Sequence, residues 1–249
     1  MLGKLIKYEF MSMGRIFLPM YGALLAIALV NSLFRLLHHE VPEIISTVVT
    51  FLLMFSVPIV GLILVIQSFR KNLLSEEGYL MMTLPLKTDH LILSKMFVAT
   101  IFSIASFVVV MLALHIGAAS VMGLLVNFER LILDLLHDWF GNMSILNLTV
   151  LMLLIILSTI LLLYSCMALS LLVNNKRGLF SFGAFVVITT LMQILIFGVA
   201  AIVFYSGIYE RVVITPFWAS LTTNIWLIGA CIIYYLITRF MLKRRLNLL

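Results

Sequence analysis

Charged side chains are scarce in this sequence. Only 10% of its 249 residues are Asp, Glu, Lys or Arg, whereas 64% are hydrophobic, and the mean hydropathy is +1.23. Too few polar side chains are present to coat a water-soluble fold of this size. The composition therefore excludes a soluble globular protein and predicts an all-α integral membrane protein, because helices satisfy their own backbone hydrogen bonds in lipid.

Residues that carry catalysis or bind metal are also few. Cys166 and Cys231, the two cysteines, lie inside apolar runs, which favours small packed side chains over a disulfide or a metal pair. Neither His38-His39-Glu40 nor His137-Asp138 has the spacing that places metal ligands on one helix face. No metal site is predicted.

Two enzyme classes lack their signatures. The sequence contains no Gly-rich phosphate loop ending in Lys-Ser or Lys-Thr, so ATP hydrolysis by that route is excluded for this chain. It also lacks the paired catalytic residues at membrane depth that an intramembrane protease requires. We therefore predict that the chain is not an enzyme and that any ATP and Mg²⁺ are bound by a partner.

The apolar runs predict six membrane spans with short connections. The predicted spans are residues 16–37, with Pro19 in the first turn, 44–67, 96–126, 144–173, 179–205 and 217–238. The segment 127–143 is amphipathic and is predicted to lie along the outer face. Residues 16–249 are treated as a single transmembrane domain.

Residues 1–15 have charged and apolar positions at helical spacing. Leu2, Leu5, Ile6, Phe10 and Met13 fall on one side, and Lys4, Lys7 and Glu9 on the other. This pattern predicts a short amphipathic helix in the membrane interface. A cleaved signal peptide ending near Ala26-Ile27-Ala28 is the alternative interpretation.

The distribution of cations predicts the orientation. Thirteen of the 16 Lys and Arg residues fall on one side of the predicted topology: Lys4, Lys7, Arg15, Arg70, Lys71, Lys87, Lys95, Lys176, Arg177, Arg239, Lys243, Arg244 and Arg245. Because cytoplasmic segments are enriched in cations, both termini and the loop 68–95 are predicted to be cytoplasmic. The same cations suit contact with anionic lipid, and their lack of interleaved aromatics argues against nucleic acid.

The loop 68–95 is the longest charged interval in the chain. Pro85 ends any helix that begins near Leu73, and Thr88 or Asp89 can begin a new helix that continues through Lys95 into the third span. We therefore predict a short helix over about 73–82, with acidic residues at its start and apolar residues after them. Such a surface suits a soluble protein partner. Burial of its apolar residues in the lipid headgroups is the alternative.

The run Glu76-Glu77-Gly78-Tyr79-Leu80-Met81-Met82-Thr83-Leu84-Pro85-Leu86, followed by Leu91-Ile92-Leu93-Ser94-Lys95, resembles the signature of type-2 ABC-transporter permeases. The resemblance covers about thirty residues, and the six-span layout is similar too. It implies that the segment is the coupling helix that docks into the ATPase subunit. The contact residues it implies are Glu76, Glu77, Gly78, Tyr79, Leu80, Met81 and Met82. The chain lacks the large extracellular domain of many members.

The resemblance implies a permease subunit of a bacterial ABC exporter in the plasma membrane. Two ATPase subunits would pair with this chain and a second permease subunit, identical or related. The short outer loops suit an amphipathic or hydrophobic cargo, such as a peptide, an antimicrobial, a drug or a lipid. ATP-driven closure of the ATPase pair would press on the coupling helix and tilt spans two and three.

Two other function classes remain open. A secondary transporter would be expected to carry acidic residues inside its spans, whereas all ten here are predicted to lie in loops or in the N-terminal helix. A non-transporting membrane scaffold would leave the apolar surface at Tyr79–Met82 without an ATPase partner. His115 lies within the third predicted span, where it either hydrogen-bonds a neighbouring helix or lines the substrate path.

Overall fold

The computed structural model describes residues 2–74, 88–118, 145–173, 177–205 and 216–246. These residues form long α-helices: α1 (Leu2–Leu36), α2 (Glu40–Leu74), α3 (Thr88–Ala118), α4 (Ile145–Leu169), α5 (Arg177–Tyr205) and α6 (Pro216–Leu246). A 3₁₀ turn, Ser170–Leu172, follows α4. The described residues contain no strand.

All six helices are long and apolar enough to cross a membrane. This finding confirms the prediction of an all-helical chain with six helices that could span a membrane, and it indicates a multi-pass membrane protein. The segments 75–87, 119–144 and 206–215 lie outside the described residues, as do 174–176 and 247–249. The predicted amphipathic segment 127–143 therefore falls outside the description, as does the predicted coupling helix from residue 75 onward. Residues 68–74, predicted to belong to the loop and to the start of that helix, instead continue α2 as far as Leu74.

The first helix differs from its predicted form. It runs from Leu2 to Leu36 without a break at the predicted boundary after Arg15, so residues 2–15 are not a separate helix. Pro19 lies inside this helix, and its predicted position in the first turn is wrong. A proline in the interior is tolerated in membrane-spanning helices, where neighbouring groups satisfy the freed carbonyl. The interfacial location of residues 1–15 stays a prediction.

The third helix begins as predicted. It starts at Thr88, has Asp89 in its first turn, where a negative charge favours the positive end of the helix dipole, and continues through Lys95. The helix is described as far as Ala118. The prediction that one helix continues from the charged loop into the third span is thus confirmed.

The chain forms two compact units. The first comprises Met1–Lys71 and Asp89–Leu136, and its described part contains α1, most of α2, and α3. Its core is formed by apolar side chains at helical spacing, three or four residues apart on α1 and α2 and four or eleven residues apart on α3: Met13, Phe17, Tyr21, Leu24, Ala28, Met54, Val57, Val98, Phe102 and Ala113. That spacing places one stripe of each helix against its neighbours.

Aromatic rings pack between helices in the first unit. The rings of Phe17 and Phe102 stack with their centroids 4.9 Å apart, joining α1 to α3. On α2, a Cβ added at Gly61 would lie 3.5 Å from the Phe17 ring, an ordinary van der Waals distance. The Phe17 ring therefore lies close to both α2 and α3.

The second unit comprises Asn72–Thr88 and His137–Leu249. Within it, α4 and α6 pack along their lengths, and their buried residues include Ile160, Tyr164 and Met167 on α4 and Tyr234 and Leu242 on α6. By contrast, none of the most apolar window of α5 is buried inside the chain. The side chains of that window are therefore exposed on the surface of the chain.

The connection between α1 and α2 contains a backbone position that favours glycine. His38 has φ of 54°, and the His39 N–H donates to the Phe34 carbonyl at 3.1 Å. This bond and the left-handed residue form the Schellman ending of a helix, in which glycine is the usual residue. A left-handed conformation costs an ordinary residue about 1 to 2 kcal/mol.

Replacing His38 by Gly is expected to stabilise the protein by about 0.5 to 1 kcal/mol, because the relief of strain exceeds the extra entropy that glycine loses on folding. The measurement is thermal unfolding in detergent. His39→Gly is the matched control, since among the described residues only His38 combines a side chain with positive φ. Equal effects of the two substitutions would contradict this account.

Candidate functional site

Three helices meet at a buried, charged contact in the first unit. The Lys95 ammonium on α3 forms an ion pair with the Glu9 carboxylate on α1. It also donates to the Ser68 hydroxyl at 3.2 Å and to the Ser68 backbone carbonyl at 3.3 Å, both on α2. The Ser68 hydroxyl in turn donates to the second Glu9 carboxylate oxygen at 3.0 Å. We call Glu9, Ser68 and Lys95 the polar clamp.

The helix ends explain why these residues meet. Glu9 follows the start of α1 by seven residues, Lys95 follows the start of α3 by seven, and Ser68 precedes the end of α2 by six. At 1.5 Å per residue, each lies roughly 10 Å from its own helix end. Since α1, α2 and α3 are successive antiparallel helices, the start of α1, the end of α2 and the start of α3 lie at the same end of the unit.

The clamp is buried and its polar groups are satisfied. Lys95 is 1% exposed and Glu9 is 6% exposed. A lysine ammonium has three protons, and three acceptors surround this one, while each Glu9 oxygen accepts a hydrogen bond. Such complete pairing is what allows charges to stay buried, because an unpaired charge would carry its full desolvation penalty.

Two clamp residues flank the predicted docking residues in the sequence. Ser68 precedes, and Lys95 follows, the interval that contains all of them. The clamp therefore joins the helix before that interval to the helix after it, and joins both to the first helix. In helices of 35 residues, about 52 Å long, a position roughly 10 Å from the end falls near the boundary of a 30 Å hydrocarbon core when the helix is centred in the membrane.

Two further polar contacts join α1 to its neighbours. The Tyr21 hydroxyl donates to the Phe102 carbonyl at 3.0 Å and lies 2.6 Å from the Ser106 hydroxyl on α3. Near the opposite end of α1, the amide oxygen of Asn31 accepts from Ser46 at 2.7 Å and from Thr47 at 3.1 Å, both on α2. The first helix is thus hydrogen-bonded near both ends and at its middle.

The predicted docking residues lie outside the described residues: Glu76, Glu77, Gly78, Tyr79, Leu80, Met81 and Met82. Their role as contacts for an ATPase stays a prediction. His115 lies on α3 with an exposed side chain and forms no hydrogen bond to another described residue. Its predicted place in a substrate path also stays a prediction.

Both cysteines are free, and Cys166 is buried, as expected for a small packed side chain. Among the residues that the structure describes, no group of three or more His, Cys, Asp or Glu side chains could hold a metal ion.

The role of Glu9 was not predicted from the sequence. Helical spacing predicted Glu9 on the polar side of the first helix and Phe10 on the apolar side, whereas Glu9 is buried and Phe10 is 44% exposed. A signal existed: Glu9 precedes Met13 by four residues and continues the buried stripe through Phe17 and Tyr21. Its partner lies 86 residues away in sequence, so the pairing itself could not be seen from local spacing.

A second missed pair lies in the other unit. The side-chain amide of Asn224 on α6 donates to the Asn147 amide oxygen on α4 at 2.8 Å. The Asn224 amide oxygen is buried and has no hydrogen-bond partner among the described residues. Asparagine side chains that hydrogen-bond between helices stabilise membrane-helix packing, so this pair contributes to the α4–α6 contact.

Comparisons with protein-family models, with curated proteins and with solved structures found no match to this chain.

Proposed function

We propose that this chain is the membrane permease subunit of an ATP-driven exporter of the ABC type, with its ATPase on separate subunits. The observation that best supports this function is the polar clamp. It joins Ser68 and Lys95, which lie six or seven residues inside the helices on either side of the charged loop, to Glu9 on the first helix. A loop anchored in this way can pass a force from a soluble partner to three membrane helices.

The resemblance of the loop sequence to the type-2 permease signature supplies the identity of the partner. In this proposal the acidic and apolar residues from Glu76 to Met82 contact the ATPase. The chain itself hydrolyses nothing and contributes the path for an amphipathic or hydrophobic cargo: a peptide, an antimicrobial, a drug or a lipid. Pairing with a second permease subunit, in a bacterial plasma membrane with both termini cytoplasmic, completes the proposed assembly.

A proton-coupled transporter is the second candidate function. Glu9 lies within a helix segment, Leu5–Phe34, that is long and apolar enough to cross a membrane, and its carboxylate is buried. An acidic residue in such a segment is a common proton site of secondary transporters. Glu9 is thus a buried acidic residue in a segment that could cross a membrane.

Energy dependence separates the two candidates. A fluorescent amphipathic peptide is added to the medium around inside-out vesicles from the native host, and its accumulation in the vesicles is measured with and without this chain. We expect ATP-dependent accumulation that vanadate abolishes and that a proton ionophore leaves unchanged. Loss of accumulation with the ionophore, together with resistance to vanadate, would favour the proton-coupled transporter and contradict the ABC proposal.

A further inference from the structure

We propose that the polar clamp makes the first helix part of the moving element, so that a partner acting on the loop shifts α1, α2 and α3 as one body. This inference rests on the proposed function for the identity of the partner. The family resemblance implied that spans two and three alone move. Glu9 changes that assignment because it binds groups on both of those helices.

The geometry favours a rigid connection at this end of the unit. Ser68 takes part in bonds to both charged residues, so α2 cannot separate from α1 or α3 without breaking partly buried hydrogen bonds. The buried ion pair joins α1 to α3, and separation of those two helices would leave each charge uncompensated, which opposes it strongly. The clamp therefore penalises relative motion of the three helices where the loop enters and leaves.

The rest of α1 adds to this connection. Tyr21 contacts α3 at mid-helix, and Asn31 contacts α2 near the far end. A helix bonded at three levels follows its neighbours, whereas a helix bonded at one end only could pivot. Glu9, Ser68 and Lys95 are thus positioning residues, which act on transport through the geometry of the loop ends and touch no cargo.

Spin-label distances test this inference directly. Lys7 and His90 are exposed residues close to the clamp on α1 and α3, and labels at Lys7→Cys and His90→Cys report their separation in a chain with Cys166→Ala and Cys231→Ala. In the isolated chain in lipid nanodiscs we expect a narrow distance distribution. In the Glu9→Leu/Lys95→Met variant, which removes both charges and leaves neither unpaired, we expect a distribution about twofold broader.

Two variants serve as matched controls. Glu9→Lys/Lys95→Glu exchanges the charges and is expected to restore a narrow distribution. Tyr21→Phe removes a hydroxyl from the same α1–α3 interface about 18 Å farther along the helix, and is expected to leave the width at the loop end unchanged. If the distance distribution of Glu9→Leu/Lys95→Met is as narrow as that of the parent chain, the proposed role of the clamp in holding the helices together is wrong.

The same labels test the motion in the complex with its ATPase. With ATP and vanadate, the Lys7–His90 distance is expected to stay constant, because both labels belong to one moving body. Transport per ATP hydrolysed is expected to fall roughly fivefold in Glu9→Leu/Lys95→Met, the size of effect typical of residues that carry coupling. A Lys7–His90 distance that changes in the parent complex, or coupling that is normal in this variant, would overturn the inference.

Failure of the proposed function would look different. If no ATPase accompanies the chain, the permease proposal fails, and the distances in the isolated chain still decide whether the clamp holds the loop ends to α1.

Discussion

Replacing Lys95 by Met is expected to lower the free energy of unfolding by about 3 to 5 kcal/mol. The substitution leaves the Glu9 carboxylate buried without its cation, and it removes the two bonds from the ammonium to Ser68. Solvent screens this pair little because Lys95 is 1% exposed. The change in the free energy of unfolding is measured by denaturant titration and by thermal unfolding in detergent.

The origin of that loss can be separated from lost packing. The Glu9→Leu/Lys95→Met variant has no unpaired charge, so its loss of stability is expected to be much smaller than that of Lys95→Met. The control for loss of a cation is Lys7→Met, at an exposed position. Its free energy of unfolding is expected to change by no more than about 0.5 kcal/mol. The account of the clamp is wrong if Lys95→Met behaves like Lys7→Met.

Reversing the charges of Glu76 and Glu77 is expected to abolish coupled transport. Like charges brought together at an interface cost several kcal/mol, so two reversed acids should weaken docking of the ATPase about 100-fold. The stability of the membrane subunit should change little, since both residues lie in the charged loop rather than in a predicted span. The measurements are the affinity for the ATPase subunit and cargo transported per ATP hydrolysed in proteoliposomes.

The matched control is Glu129→Lys/Glu210→Lys, which changes the net charge by the same amount on the predicted outer side. That variant is expected to bind the ATPase and transport cargo normally. Normal coupling in Glu76→Lys/Glu77→Lys would remove the coupling role from this segment. Equal loss in both variants would indicate a general effect of charge.

The six helices could be predicted from sequence because each span is a long apolar run, and length and composition alone determine whether a helix can cross a bilayer. The start of α3 near Thr88 was predictable for a local reason, the helix-start preference of Thr and Asp after Pro85. Helix boundaries that depend on packing were harder to predict from the sequence. Thus Pro19 suggested a helix start, yet the helix continues through it.

The polar clamp could not be predicted because its members are distant in sequence. Glu9 near the N-terminus suggested a solvated residue of an amphipathic helix, and Lys95 suggested a cation that orients the third span. Each interpretation used local spacing and charge counts. Only the antiparallel arrangement of the successive helices α1, α2 and α3 brings Glu9, Ser68 and Lys95 to one level. There the three residues hydrogen-bond to one another instead of to water.

Together the clamp and the loop suggest a division of roles in one part of the chain. Residues 76–82 are proposed to recognise the soluble partner, and Glu9, Ser68 and Lys95 are proposed to hold the loop ends to the membrane helices. The first role concerns binding and the second concerns transmission. Variants of the loop should therefore reduce ATPase binding, whereas variants of the clamp should leave binding largely intact and reduce coupling.

Copurification from the native host in mild detergent, with mass spectrometry of the bound proteins, tests the central claim most directly. We expect an ABC ATPase at a roughly equimolar ratio, retained with the unaltered chain and lost with Glu76→Lys/Glu77→Lys. Recovery of the chain alone, or with unrelated membrane proteins only, would contradict the permease assignment and favour an interfacial anchor for the segment 76–82.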